Sequence, residues 1–339
     1  MMSLRFCAAA IVMLLAGILP SAARADTLAN VKAKGAVTCG AGPATRGFGA
    51  SNVDGQWVGL GADYCRALAA AIFNDAGKVS FVPVQPADRV SALASHRIDV
   101  LADLVSWTLG ADSGGGLRFV GTMFYDGQGF MATKAASIRS ARDLDGKRVC
   151  TESLTAAGKA AGYFEANNIS ATATAMPNRD AAIASYLAGG CAAISAPSSV
   201  LAGIRAGLPQ PGDHLLLPDV TDKEPLSMVI APNDDRWFAI ARWTFYALLD
   251  AEELGVTQTN VDEMLGSDNI SIRRFLGVEA DFGSEIGLNK DWAYQIVKGV
   301  GNYADIYDRD VGETTPLKLP RGLNALWNKG GIQYSPPIR

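Results

Sequence analysis

From Val37 onward the chain alternates short apolar runs with helical stretches, and it does so twice in succession. Ala36–Gly40 reads as a strand, Ala62–Phe73 as an alanine-rich helix, Val79–Val84 as a strand, Ala87–Ser95 as a helix and Ile98–Ala102 as a buried strand. A β-α-β-α-β order predicts a largely parallel sheet covered by helices. A second run of the same kind begins near Gly129-Phe130-Met131. Its strands fall at Arg148–Cys150, Thr172–Ala175 and Ala193–Ala196, its helices at Thr155–Asn167, Asp180–Ala188 and Ser198–Ala206. Leu215–Leu217 and Met228–Ala231 add strands, Trp237–Leu254 reads as a long amphipathic helix, and the tail holds shorter helices including Trp292–Tyr307. Two α/β lobes in series with a helical tail imply a cleft between them. Ligands collect at the carboxyl ends of strands in open α/β sheets, and two facing lobes make a pocket that closes by hinge bending.

Residues 1–25 read as a cleavable secretory signal. Arg5 precedes the apolar run Phe6–Leu19, Pro20 and Ser21 break it, and Ala23-Arg24-Ala25 is a small-x-small cleavage pattern. The run is about 14 residues, short of the roughly 20 that a membrane-spanning helix needs. No cysteine stands at the expected cut, and no later apolar run is long enough to span a bilayer. A soluble, periplasmic mature protein is therefore expected. Removing 25 of the 339 residues leaves 314, a length for roughly two domains with cores of their own. Subtracting Arg5 and Arg24 from the 30 basic residues leaves 28 against 34 acids, a net charge of −6. A mildly acidic chain without basic clusters argues against a nucleic-acid partner.

Cys7 leaves with the signal, and Cys39, Cys65, Cys150 and Cys191 remain. Four cysteines allow three pairings, and sequence alone does not choose among them. Pairing within the early and the middle group would staple two separate regions, so Cys39–Cys65 and Cys150–Cys191 are favoured in an oxidising compartment. Zinc is the rival, weakened by the lack of paired C-x-x-C spacing and by having only His96 and His214 to help. No metal or cofactor is expected.

Catalytic motifs are missing from the sequence: there is no G-x-S-x-G, no H-E-x-x-H and no G-x-x-x-x-G-K-[ST]. Gly110–Gly116 is glycine-rich without the spacing of a phosphate loop and reads as a turn. His96 and His214 read as surface or cap residues, Glu252-Glu253 as a solvent-facing helix end, and Trp237 and Trp243 as packing. Asp234-Asp235 suits a helix N-terminus, where carboxylates meet the positive end of the dipole.

Longer strings carry more. Trp57-Val58-Gly59-Leu60-Gly61-Ala62-Asp63-Tyr64-Cys65-Arg66-Ala67, Ser106-Trp107-Thr108-Leu109, Phe124-Tyr125-Asp126-Gly127-Gln128-Gly129-Phe130-Met131 and Lys223-Glu224-Pro225-Leu226 occur in order. They continue into Leu288-Asn289-Lys290-Asp291-Trp292-Ala293-Tyr294, Gly301-Asn302-Tyr303, Arg321-Gly322-Leu323-Asn324-Ala325-Leu326-Trp327 and Pro336-Pro337-Ile338-Arg339. With these strings the chain resembles the general L-amino-acid-binding periplasmic proteins of ABC transporters over nearly its whole mature length.

The resemblance implies the type II periplasmic binding protein fold: two α/β lobes around a central cleft, with residues 26–131 and 232–339 in lobe one and 132–231 in lobe two. It puts one disulfide in each lobe. It also implies a small-molecule solute, an ABC permease at the inner membrane as partner, no enzymatic activity, and a monomer.

Family members grip an amino acid by its ends. An arginine after the T-W-T segment takes the carboxylate and an acid in lobe two takes the ammonium, the planar guanidinium being suited to a carboxylate. Here the arginine position is Ala111, the lobe-two acid is Pro197, and the acid of the G-F-D segment is Gly61. The threonine-rich loop has become Thr151-Glu152-Ser153-Leu154-Thr155. Scaffold and grip have parted, so a specificity shifted away from ordinary L-amino acids is expected. Candidate cleft residues are Arg46, Phe48, Asp103, Ser106, Trp107, Thr108, Glu152, Ser153, Thr155 and Ser195, with Arg46 or Arg118 as substitutes for the lost arginine. Phe48 and Trp107 suit either stacking on a ligand or packing. Two alternatives follow from the same scaffold: an enzyme of the cyclohexadienyl dehydratase kind, for which Asp103 and Glu152 are the acids to test, and a sensor or accessory protein without transport.

Overall fold

The computed structural model describes residues 26–42, 46–52, 54–114 and 116–339; the signal segment 1–25 lies outside them. Strands in chain order are β1 (Val37–Ala41), the short pair β2 (Ala50–Ser51) and β3 (Trp57–Val58), β4 (Val79–Pro83), β5 (Val100–Ser106), β6 (Arg118–Asp126) and β7 (Gln128–Thr133). They continue as β8 (Arg148–Thr151), β9 (Thr172–Ala175), β10 (Ala193–Pro197), β11 (His214–Leu216) and β12 (Glu224–Ile230).

Two five-stranded sheets result, ordered β4-β1-β5-β12-β6 and β11-β7-β10-β8-β9. In the first, β1 runs parallel to β4 and β5, and β12 lies antiparallel between β5 and β6. In the second, β8 runs parallel to β9 and β10, and β7 lies antiparallel between β10 and β11. Each lobe is thus a β-α-β-α-β unit completed by an antiparallel strand that arrives from the other lobe.

The chain crosses between sheets at Gly127 and again between Leu216 and Glu224. This shifts the boundaries expected at 131 and 231. Gln128–Thr133 pairs in the second sheet, where Phe130 and Met131 are buried, and Glu224–Ile230 pairs in the first. An apolar strand reads the same in either lobe, so hydropathy does not locate the crossing. At Gly127 a Cβ would stand 2.3 Å from Val220 Cγ1 and 2.4 Å from the Asp222 carbonyl oxygen, so the two crossing segments touch there.

Lobe one owns the larger core. The helix Leu60–Phe73 lies against sheet one and under the helices Asp235–Glu253 and Trp292–Val300, with Ala70 allowing close approach to Gly299. Buried aromatics keep their polar ends paired: Tyr64 Oη donates to Ala241 O (2.8 Å), Trp237 Nε1 to Asp99 O (2.9 Å) and Tyr303 Oη to Met123 O (2.7 Å). Lobe two divides its core by strand alternation: Phe130 and Ala132 face Phe164 and Leu144, while Met131 faces the Cys150, Tyr186 and Leu201 side. Disulfides Cys39–Cys65 and Cys150–Cys191 tie one strand of each lobe to a neighbouring segment, as favoured from the sequence.

Several local expectations change. The tail helix divides into Trp292–Val300 and Tyr303–Asp310, because Gly301 sits at φ 89° and Asn302 with Asp305 forms a capping box. Leu109–Gly114 forms a short helix rather than a turn. His214 is buried in β11 with its Nδ1 2.6 Å from Tyr186 Oη, and burial lowers its pKa. Glu252 is buried and paired with Arg321 at 2.9 Å and Lys329 at 3.5 Å, partners that lie far along the chain. Asp234 does cap its helix, accepting from Trp237 N at 2.9 Å. No described helix is long and apolar enough to cross a membrane.

Candidate functional site

The carboxyl ends of the parallel strands carry the charged groups. In lobe one β5 bulges: its five residues from Leu101 to Val105 stand opposite the three of β12 from Val229 to Ser227, and Leu104 adopts φ 46°. Bulges re-aim side chains near sites. Asp103, in this bulge, lies against the backbone of the loop after β1, since a Cβ on Gly42 would stand 1.6 Å from its Oδ1. Arg89, the first residue of the helix Arg89–Ala94, donates to Asp103 Oδ2 through Nη2. Burial pushes the Asp103 carboxyl up and the guanidinium opposes that. The Nε of Arg89 is buried with no hydrogen-bond partner. Nearby, Ser106 Oγ donates to Glu224 Oε1 at 2.8 Å.

Lobe two repeats the device. Glu152 follows β8, and Arg179, the first residue of the helix Arg179–Leu187, grips it with Nε to Oε2 at 2.5 Å and Nη2 to Oε1 at 3.3 Å. Ser153 caps the helix Leu154–Ala166, accepting from Ala156 N at 3.2 Å, and Thr155 is exposed in its first turn.

Between the lobes, Gln128 N donates to Asp222 Oδ1 and Thr221 N to Gln128 O, both at 2.7 Å. Lys159 Nζ meets Asp222 Oδ2 at 2.6 Å. Asp126 accepts from Ser199 Oγ at 2.5 Å, across the lobe boundary, and burial raises its pKa to about 6.

Other candidates fall elsewhere. Phe48 is buried edge-on against Phe124, with ring centroids 4.8 Å apart. Trp107 stacks on Phe119 at 5.1 Å and packs with Ala111. Thr108 Oγ1 accepts from Ala111 N at 3.2 Å. Ser195 is fully buried, its hydroxyl donating to Gly129 O at 2.8 Å and accepting from Gln128 Nε2 at 2.9 Å. Arg46 is exposed and lines a cavity of about 500 Å³ with Asp63, Arg66, Arg309 and Asp310, all residues of lobe one. Arg118 donates to Asp235 Oδ1 at 2.7 Å and lies over the Phe238 ring, so it is occupied in the scaffold. Gly61 is sterically closed: a Cβ would stand 2.0 Å from Ala102 O. Pro197 ends β10 and precedes the helix Ser198–Gly207. Arg89 and Arg179 were missed by sequence reasoning, although Arg89-Val90-Ser91-Ala92-Leu93-Ala94-Ser95 and Arg179-Asp180-Ala181-Ala182-Ile183-Ala184-Ser185 share a visible pattern. Among the described residues no His, Cys, Asp and Glu group is arranged to hold a metal ion.

No family model matches the chain. It is 45% identical over 322 residues to the general L-amino acid-binding periplasmic protein AapJ of Rhizobium johnstonii, covering 94% of each chain. It is 40% identical over 327 residues to the glutamate/glutamine/aspartate/asparagine-binding protein BztA of Rhodobacter capsulatus, covering 96% of this chain and 97% of that one. Among solved structures, a periplasmic binding protein of an ABC transporter from Brucella ovis with glutathione bound superposes with a TM-score of 0.80 at 45% identity, covering 93% of this chain and all of that one. With likeness of this degree from end to end, the protein belongs to the periplasmic amino-acid-binding proteins of ABC transporters.

Proposed function

We propose that the mature protein is a monomer beginning near Asp26, which catches a small zwitterionic solute between its lobes and hands it to an ABC permease unchanged. Lobe one is then 26–126 with 224–339, and lobe two 128–216. The observation that carries this reading is the contact of both crossing segments at Gly127, a narrow hinge between two sheets whose charged strand ends can approach one another. Relatives are named for amino acids and one is seen with glutathione, so amino acids and small peptides are the solutes to consider.

The missing anchors narrow that range. A charge-assisted hydrogen bond contributes about 1.5–3 kcal/mol, so a grip without the arginine at position 111 and the acid at 197 holds a simple α-amino acid weakly. Small-angle scattering of the purified mature chain, with glutathione and with single amino acids, tests the reading. Contraction with at least one solute, returned intact by mass spectrometry, is expected. No contraction with any solute, or a chemically altered one, would overturn it.

A further inference from the structure

We propose that the charged cavity of lobe one is a second binding site, apart from the cleft between the lobes, and that it takes a small organic dianion of the dicarboxylate kind.

Folding brings the walls of this cavity together from separate parts of the chain. The loop after β1 supplies Arg46 and Gly47, and the first turns of the helix Leu60–Phe73 supply Asp63 and Arg66. Gln258 comes from beyond the helix Asp235–Glu253, and the helix Tyr303–Asp310 ends in the wall with Arg309 and Asp310. Every lining residue belongs to lobe one, and about 500 Å³ is room enough for a small metabolite. Backbone packing keeps the space shaped. Gly47 stands at φ 83°, where a Cβ would lie 2.5 Å from Leu317 Cδ1, and a Cβ on Gly59 would lie 2.8 Å from the Gly47 backbone.

Asp63, with 8% of its side chain exposed, holds two of the three arginines. Arg66 Nη1 donates to its Oδ1 at 2.7 Å, and Arg309 donates to its Oδ2 through Nε at 3.0 Å and through Nη2. These bonds tie the tail to the helix Leu60–Phe73, and that structural role accounts for them. It does not account for Arg46, which is exposed and has no partner among the described residues. Nor does it account for Asp310, whose Oδ2 is buried without a hydrogen-bond partner.

The charged groups around Asp310 are Asp63 and Arg66 from the helix Leu60–Phe73, Arg309 from its own helix, and Arg46 from the loop after β1. Two neighbouring carboxyls out of water do not both ionise. Burial first, then the charge of Asp63, raises the Asp310 carboxyl to about 8, although Arg309 and Arg66 pull the other way. Asp310 therefore keeps its proton at neutral pH, and three guanidinium groups face one carboxylate. The excess of two positive charges is what a dianion neutralises, and a cavity focuses that field more than open surface does. Arg46 has all five donors to offer and Arg309 still has Nη1, a fork for one carboxylate and a contact for the other.

Isothermal titration of the mature protein with succinate tests this, with butyrate as a single-carboxylate control of like size. At about pH 7 succinate is expected to bind roughly tenfold or more tighter than butyrate. Small-angle scattering should show no contraction, because only lobe one is touched. R46Q should weaken succinate roughly tenfold with an unchanged melting temperature, and R46K should recover part of the loss. Between about pH 7 and about pH 9 succinate stays a dianion while Asp310 ionises, so wild-type affinity should fall roughly three- to tenfold. D310N, neutral throughout, should keep its affinity across that range, with a melting curve to show that it is folded. No succinate binding, or equal affinity in wild type and R46Q, would overturn the proposal. So would contraction on succinate, which places it in the cleft between the lobes, and so would a pH fall shared by D310N. None of these results removes the solute-binding reading, which stands or falls on contraction with its own solutes.

Discussion

Lobe one and lobe two are built on one plan and differ in what surrounds it. Both order their parallel strands with the first in the middle, both carry a disulfide, and both begin their second helix with an arginine bound to an acid. Lobe one then adds the helices Asp235–Glu253, Trp292–Val300 and Tyr303–Asp310 to the larger of its two cores, which reaches from Leu28 to Leu326 and stands beside a smaller cluster around Val84, Leu93 and Phe119. Lobe two has two small clusters, one on each face of its sheet. The difference teaches that the plan is enough for a site, while the added helices serve stability and bind the tail to the first sheet.

Four measurements break or sharpen that comparison. The largest contrast is expected on returning the family's acids. Gly61→Asp drives a side chain into Ala102 O and should cost roughly 4 kcal/mol or more in chemical denaturation, because backbone must move. Pro197→Asp places a preferred cap at the start of the helix Ser198–Gly207 and should stay within about 0.5 kcal/mol. Equal costs would mean that lobe one yields as easily as lobe two.

Removing the disulfides comes next. Replacing either pair by alanine should cost about 2–4 kcal/mol. Only the loss of Cys150–Cys191 should divide the calorimetric transition in two, because the small core of lobe two then melts ahead of lobe one. A split after loss of Cys39–Cys65 instead would reverse the ranking of the cores.

Arg89→Gln should destabilise more than Arg179→Gln, by about 1–3 against less than about 1 kcal/mol. Asp103 is 17% exposed and loses the cation that pairs with it, whereas the partner of Glu152 is itself 51% exposed. Matching losses in urea titrations would show that the two pairs are equally solvated.

The smallest effect is a slope. Burial raises Asp126, at the junction, and Asp250, near the tail, to about 6 from an ordinary value near 4. Each therefore contributes stability that is full below the ordinary value and is lost as pH rises through about 6. Denaturation between pH 4 and 7 should show stability falling by an order of 1 kcal/mol for each group, and Asp126→Asn should flatten part of that fall. An unchanged slope in Asp126→Asn would assign the fall to the raised carboxyls of lobe one, Asp250 and Asp310.

What was legible in the sequence follows the range of the forces. Strand and helix order came from local apolar patterning, and Asp234 and the helix Leu60–Phe73 were readable one turn at a time. The disulfides were readable because two cysteines lie early and two lie in the middle. Glu252 was not, since Arg321 and Lys329 reach it from far along the chain. In the candidate site, Asp103 and Glu152 were named as the acids to test, but their arginines look like any charged residue opening a solvated helix. Only the repeat of the Arg89 and Arg179 segments marks them, and a seven-residue echo some 90 positions apart is faint without the topology that makes it meaningful. Ser195 shows the converse: a polar residue in the right string whose hydroxyl is fully used inside the protein.

The exchanged antiparallel strands set an order of assembly. Segment 128–216 holds all of sheet two in one stretch and can finish as soon as it has emerged. Segment 26–126 emerges first and finishes last, because β12 and the helices that roof its sheet come from the other end of the chain. A secreted chain threads its export channel from the amino end, so the half-built first lobe must wait on the far side, apolar face uncovered, until nearly the final residue arrives.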